Sequence, residues 1–267
     1  MKRRVFSGPE RVLLGLFAAA LLLPFLSLPV WSVFGAWGKN SLLPQNPTLD
    51  GFRAFFTRDF GTALRSAVFS LAVSLATLIV AVPAARALLR LRGRAGRLIE
   101  TILYLPMLMP VVSVSMGIHK LFLRAGLTGT GAVFLMHMYF ALPYVFSLIF
   151  SCYASWGMAH ERAARNLGAG WLAAFFRVHL PIYAPGYRNA FFMGFIISYS
   201  QYFVNYYLGG WRDVNFAMIL APLISGSNRN VASVYTLMYL LLGGIVLLMC
   251  SVERRKARRT GGGHADD

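Results

Sequence analysis

The chain has 267 residues, 57% of them hydrophobic and only 13% charged, with a mean hydropathy of +0.60. That is too apolar for a soluble domain of this length. The formal charge of +17 lies between long apolar runs rather than on one face, which argues against a nucleic-acid reader.

Taken in chain order, six runs reach the roughly 20 apolar residues a helix needs to cross the hydrocarbon. They lie near residues 12–34, 63–88, 98–122, 131–153, 188–209 and 230–252. The first follows Lys2, Arg3 and Arg4 and resembles a signal peptide, but its apolar stretch is longer than the usual h-region and no small-residue cleavage site follows; it reads as an uncleaved span. Charge orients the set, because Lys and Arg beside membrane helices stay on the cytoplasmic side. With the N-terminus inside, 18 of the 26 basic residues are cytoplasmic, so both termini are expected there. The division is a cytoplasmic N-terminus at 1–11, a transmembrane domain at 12–252 with a cytoplasmic loop at about 154–187, and a cytoplasmic tail at 253–267.

After the first run comes a segment with Pro44, Pro47 and Gly51, then Leu49, Phe52, Phe55 and Phe56 at helical spacing, with Thr48 placed to cap. An amphipathic helix at the bilayer surface or packed on neighbouring spans is expected. Pro83, Pro106, Pro110 and Pro143 fall inside spans, and the four-residue spacing of Pro106 and Pro110 marks the third span as the most distorted. His137 in the fourth span suits a hydrogen bond to a neighbouring helix, and Glu100 a pairing with Arg97. Cys152 and Cys250, without metal-ligand spacing, read as small apolar fillers.

The loop after the fourth span is the most informative stretch. Glu161 to Leu167 predicts a short helix of good formers, and Gly168 sits where a left-handed cap lets the chain turn sharply. A second short helix is expected from about Trp171, stopping near Pro181, whose ring disfavours helical backbone at Leu180. Small Ala163 and Ala164 permit close approach of another surface, so the pair forms a knob suited to docking.

This loop resembles the EAA loop of binding-protein-dependent ABC importer permeases of the type I, six-helix kind. The family pattern is Glu-Ala-Ala, three residues, Gly, nine residues, then Ile-x-Leu-Pro. Ala163, Ala164, Gly168, Val178, Leu180 and Pro181 keep that register. Val178 stands for Ile, and Arg162 occupies the acidic position, with the acid displaced to Glu161. One residue is about 100° around a helix, so Glu161 does not inherit the family glutamate's direction.

The resemblance implies an all-α membrane protein, a six-helix bundle in which two permeases, identical or homologous, form a pathway. Each docks on an ATPase subunit, and a periplasmic or surface solute-binding protein delivers substrate. No phosphate-cradling G-x-x-x-x-G-K-[ST] occurs, so ATP and Mg are expected on the partner ATPase, with no cofactor, metal or catalytic residue in this chain. Membrane lipid is the other partner, and nucleic acid is not one. Ser198, Ser200, Gln201 and Asn205 give the fifth span an unusual polar density, suited either to lining the pathway or to interhelical hydrogen bonds. The expected function is ATP-driven import of a small hydrophilic solute. A stand-alone secondary transporter or channel is the alternative, and it leaves the knob unexplained.

Overall fold

The third expected span is broken at Pro110, while Pro106 stays inside a helix. Helix α4 (Arg94–Leu108) ends where Met109 turns extended at φ −95° and ψ 132°, and α5 (Val111–Arg124) restarts after Pro110 at an angle of 104°. Pro110 has no N–H to continue the ladder, and its ring pushes Met109 out of helical backbone. Pro83 and Pro143, by contrast, lie within unbroken helices.

The computed structural model describes residues 8–36, 45–91, 93–210 and 213–260. Lys2, Arg3, Arg4, Pro44, Arg92 and the tail 261–267 lie outside the described residues. The other helices are α1 (Gly8–Ser32), α2 (Asp50–Ala54), α3 (Phe60–Leu88), α6 (Thr130–Trp156), α7 (Ala159–Asn166), α8 (Trp171–Ala174), α9 (Leu180–Tyr199), α10 (Phe216–Ser225) and α11 (Arg229–Thr260). Among the described residues, four helical runs are long and apolar enough to cross a bilayer, and the bent α4–α5 pair makes a fifth. The remaining expected span, fifth in chain order, is α9, whose 20 residues fall short of that apolarity because it carries Arg188 and Asn189.

The chain divides into two compact units. In the first, residues 1–61 and 219–241, strands β1 (Phe34–Ala36) and β2 (Gln45–Pro47) pair antiparallel, Phe34 against Pro47. Asn230 organises this unit: its amide donates to the Ser32 carbonyl at 2.8 Å, and its oxygen accepts from the Gly51 N–H at 3.1 Å. A Cβ on Gly51 would sit 2.7 Å from that oxygen, so only glycine permits the approach. The Thr48 hydroxyl accepts from the Asp50 N–H at 3.1 Å, at the start of α2. The separate amphipathic helix expected here is not found. Asp50–Leu88 form one helical run through a π-turn at Phe55–Asp59, with Phe55 buried against Tyr235 and Phe56 exposed. No glycine or proline interrupts Phe52–Phe60, so nothing in the chain stops the helix.

In the second unit, residues 62–218 and 242–267, α9 packs along α6 and α3. The core there is Ala81, Ala85, Val145, Phe146, Ile149 and Ala190. Small residues set the helix separation, as is usual between membrane helices. A Cβ on Gly194 would lie 2.8 Å from Ser74 Oγ, and one on Gly186 2.5 Å from Cys152 Sγ, so Cys152 fills space against a glycine as its position suggested.

Pro181 does not stop the second loop helix. Leu180 is helical at φ −58° and ψ −45°, and the helix runs from Trp171 to Tyr199 through a π-turn at Phe175–His179. The Leu180 N–H reaches back five residues to the Phe175 carbonyl, a widened turn that takes up the change of partners next to the missing proline donor. The fifth span is also shorter than expected, ending at Ser200 and resuming at Phe203 as a turn that closes at Gly210, φ +58°.

Candidate functional site

The first helix of the knob forms as its sequence suggests, and its turn is left-handed: Gly168 has φ +91°. The Ala169 N–H bonds the Ala164 carbonyl at 3.1 Å and the Gly168 N–H the Arg165 carbonyl at 3.0 Å, closing α7 with a paired cap. Arg162, Ala163, Gly168 and Pro181 are exposed, while Ala164 and Val178 are half-buried. The outer rim is apolar: Leu167 is 89% exposed, Trp171 67%, Phe176 58% and Leu172 51%. Arg162, Arg165 and Arg177 are exposed on the same loop.

Glu161 turns the other way. It is buried and pairs with Arg86, which comes from the end of α3. Its second carboxylate oxygen lies 2.9 Å from Nδ1 of His179, close but off the hydrogen-bonding direction. His179 Nε2 contacts the hydroxyls of Tyr187 at 2.6 Å and Tyr153 at 3.1 Å, and these two hydroxyls also bond each other. The Arg86 guanidinium stands 5.5 Å from the centre of the Phe175 ring, which stacks on His179. Burial first, then the charge of Arg86, hold the His179 imidazole down to about 4, against the upward pull of Glu161. The ring is therefore neutral near pH 7. A proton on Nδ1 faces the carboxylate and leaves Nε2 to accept from Tyr187.

This cluster joins α3, α6, α7 and α9 at one point, tying the knob to the bundle. Sequence reasoning placed Glu161 and missed its partners. Arg86 counted only as a basic flank, 75 residues away, and His179 occupied an unspecified position between Val178 and Leu180.

The four polar residues of the fifth span divide into two groups. Ser198 and Asn205 bond His137 on α6: His137 Nδ1 is 2.9 Å from Ser198 Oγ and Nε2 is 2.8 Å from Asn205 Oδ1. Because Asn205 Oδ1 also accepts from Asn215 at 2.8 Å, Nε2 carries the histidine proton and Nδ1 accepts from the serine. His137 thus has the neighbouring-helix bond expected of it. Asn215 donates at 2.6 Å to the Gln201 carbonyl, freed where the span breaks, and its own oxygen accepts from the Met218 N–H at 2.9 Å. Ser200 and Gln201 instead line a cavity of about 380 Å³ with Met109, Phe140, Tyr144 and Tyr202, at the α4–α5 break. Arg97 and Glu100 do not pair; the Arg97 carbonyl accepts from the Thr101 hydroxyl at 2.9 Å. Among the described residues, no cluster of His, Cys, Asp and Glu could hold a metal ion.

The family described as binding-protein-dependent transport system inner membrane component matches residues 74–258. The spermidine/putrescine transport system permease protein PotC of Haemophilus influenzae is 26% identical over 211 residues, covering 76% of this chain and 81% of that protein. The putative 2-aminoethylphosphonate transport system permease protein PhnV of Salmonella paratyphi A is 27% identical over 262 residues, 94% of this chain and 96% of that one. A crystal structure of a bacterial ABC transporter involved in the import of the acidic polysaccharide alginate shares the fold, with a TM-score of 0.67 at 19% identity over 94% of this chain and 99% of that chain.

Proposed function

Because the chain belongs to the binding-protein-dependent transport system inner membrane components, as a multi-pass permease subunit of an ABC importer, we propose that its exposed loop rim docks on the ATPase while Glu161 anchors that loop to the bundle. The observation carrying this reading is the opposite orientation of neighbouring residues on one short helix, Glu161 buried on Arg86 and Arg162 exposed. A loop that transmits force needs both a surface for its partner and a rigid attachment to what it moves. Leu167, Trp171, Leu172 and Phe176 supply the first, since large exposed apolar side chains grouped on one projection mark a contact. Arg86, His179, Tyr153 and Tyr187 supply the second.

The partner binds ATP together with Mg and hydrolyses the ATP, and this chain supplies no catalytic centre. Both termini lie in the cytoplasm, a topology supported by the excess of basic residues it places there. A second permease, identical or homologous, completes the pathway, and a solute-binding protein delivers to the opposite face. Ser200 and Gln201, on the cavity at the α4–α5 break, are the pathway residues of choice, whereas Ser198 and Asn205 hold the break in shape. The cargo is a small hydrophilic solute, in keeping with the polyamine and aminoethylphosphonate named for the relatives.

The test is affinity purification from the native membrane in mild detergent, comparing wild type with Leu167→Asp. An ATPase subunit is expected with wild type and lost from the variant, whose substitution lies on an 89% exposed side chain and leaves the fold intact. A properly inserted wild-type chain that never brings an ATPase would remove the importer reading.

A further inference from the structure

At the end of α6 away from the knob, a cavity of about 430 Å³ opens among the start of α3, the start of α6 and the residues Asn205, Asp213, Val214 and Asn215. Thr130 on the cavity and Tyr153 in the Glu161 cluster stand 23 residues apart on α6, about 35 Å along the axis. Two charged side chains line it, Arg65 and Asp213. Among the described residues they form no ion pair with each other. Arg65 donates to Thr62 Oγ1 one helical turn away at 3.1 Å, which leaves most of its five N–H groups open. Asp213 accepts from the Thr130 hydroxyl at 2.6 Å through Oδ1, and its backbone carbonyl accepts from Asn205 Nδ2 at 3.0 Å. The carboxylate is thereby fixed in place with Oδ2 free of hydrogen bonds among the described residues.

Apart from the neutral Ser70 hydroxyl, the remaining polar lining is already occupied. His137 and Asn215 are engaged as described, and Ser66 Oγ accepts from the Phe216 N–H at 2.8 Å while donating to the Thr62 carbonyl at 2.8 Å. The wall therefore offers a solute one fixed anion and one cation, held by a neutral scaffold. A simple anion would meet Arg65 but be repelled by Asp213, and a simple cation would meet the reverse.

We propose that this cavity is an acceptor site for a small zwitterionic solute, its anionic group on Arg65 and its ammonium on Asp213. The site rests on the importer reading, as the first station a solute meets in this subunit. A volume of about 430 Å³ is within the range of small-molecule pockets. The fixed position of the Asp213 carboxylate lowers the ordering cost of binding.

The whole transporter in nanodiscs, without its solute-binding protein, is titrated with three probes of matched shape: 4-aminobutyrate, butyrate and butylammonium. Saturation-transfer NMR is expected to show 4-aminobutyrate binding at least about tenfold more tightly than either single-charge probe, the effect of one charge-assisted hydrogen bond. Arg65→Gln should abolish its advantage over butylammonium, and Asp213→Asn its advantage over butyrate. Equal binding of a single-charge probe, variants that bind as wild type does, or no binding of 4-aminobutyrate would each overturn the proposal. Co-purification of the ATPase with the same preparations reports separately on the importer reading, so the two can fail independently.

Discussion

Glu161 Oε2 and His179 Nδ1 lie 2.9 Å apart in a buried position, yet the imidazole beside this carboxylate is held neutral. Arg86, on the other carboxylate oxygen, takes the role of counter-charge and leaves the histidine without need of its own. Burial then decides, since a second cation at this point would lack both water and a free carboxylate. The knob is thus attached through one ion pair and one neutral ring.

Acidification should loosen that attachment. His179 has its usual value of 6.5 when undocked and about 4 when docked, so release of the loop takes up a proton between these limits. Docking is fully stable above pH 6.5 and weakens as pH falls toward 4. The charged and titratable groups around the ring are Arg86 from α3, Glu161 from α7, Tyr153 from α6, and Tyr183 and Tyr187 from α9. Hydrogen exchange of residues 159–180 should accelerate through this window in wild type, and the acceleration should be much reduced in His179→Gln.

Arg86→Met should destabilise the second unit by about 3 kcal/mol, because it strands the buried Glu161 charge. Arg86→Met combined with Glu161→Leu removes both charges and should recover much of the loss. A double variant no more stable than Arg86→Met, measured by thermal unfolding in detergent, would mean that the two residues do not act as a pair.

Gly168 tests backbone conformation in isolation. A Cβ there would have no atom within 4 Å, so a substitution suffers only from the positive φ of 91°. Gly168→Val should cost more than about 1 kcal/mol locally and raise the ATP hydrolysed per solute imported, with Gly168→Asn closer to wild type. Equal coupling in all three proteins would show that the turn has no part in transmission.

The polar residues of the fifth span should separate by phenotype. Asn205→Leu leaves the His137 Nε2–H and one of the two Asn215 amide protons without an acceptor and should lower stability by about 2 kcal/mol. Ser200→Ala, on an exposed side chain at the second cavity, should leave the unfolding temperature unchanged and alter the KM for uptake. A stability loss from Ser200→Ala equal to that from Asn205→Leu would contradict the division.

Charge on the knob should choose the ATPase. Arg162, Arg165 and Arg177 are exposed around the apolar rim, so the receiving groove is expected to carry carboxylates. Arg162→Glu restores the family's acid at that position and should weaken co-purification with this chain's own ATPase about tenfold. Undiminished recovery would place Arg162 outside the contact.

Local chemistry was legible where one or two residues dictate backbone. Pro110 specified the break in the third span and Gly168 the left-handed turn. A proline was misleading where its surroundings could adapt: Pro181 follows a π-turn that absorbs its missing donor, and no spacing of residues announces such a turn. Partners distant in the chain were beyond reach for a different reason. The pairing of Arg86 with Glu161 depends on the packing of α9 along α6, set by glycines whose close contacts only the folded helices define. Helical geometry did indicate that Glu161 and Arg162 cannot point the same way; which of the two faces inward was left to the fold.

The uninterrupted helix from Trp171 to Tyr199 also has a mechanical consequence. At 1.5 Å per residue it is a rod of about 43 Å, with the apolar rim at one end and the Ser200–Gln201 break at the other. A tilt of about 5° at the first end sweeps the second through about 4 Å, roughly the width of a water molecule and more. A small displacement at the knob therefore becomes an aperture-sized one at the Ser200–Gln201 break, by leverage alone.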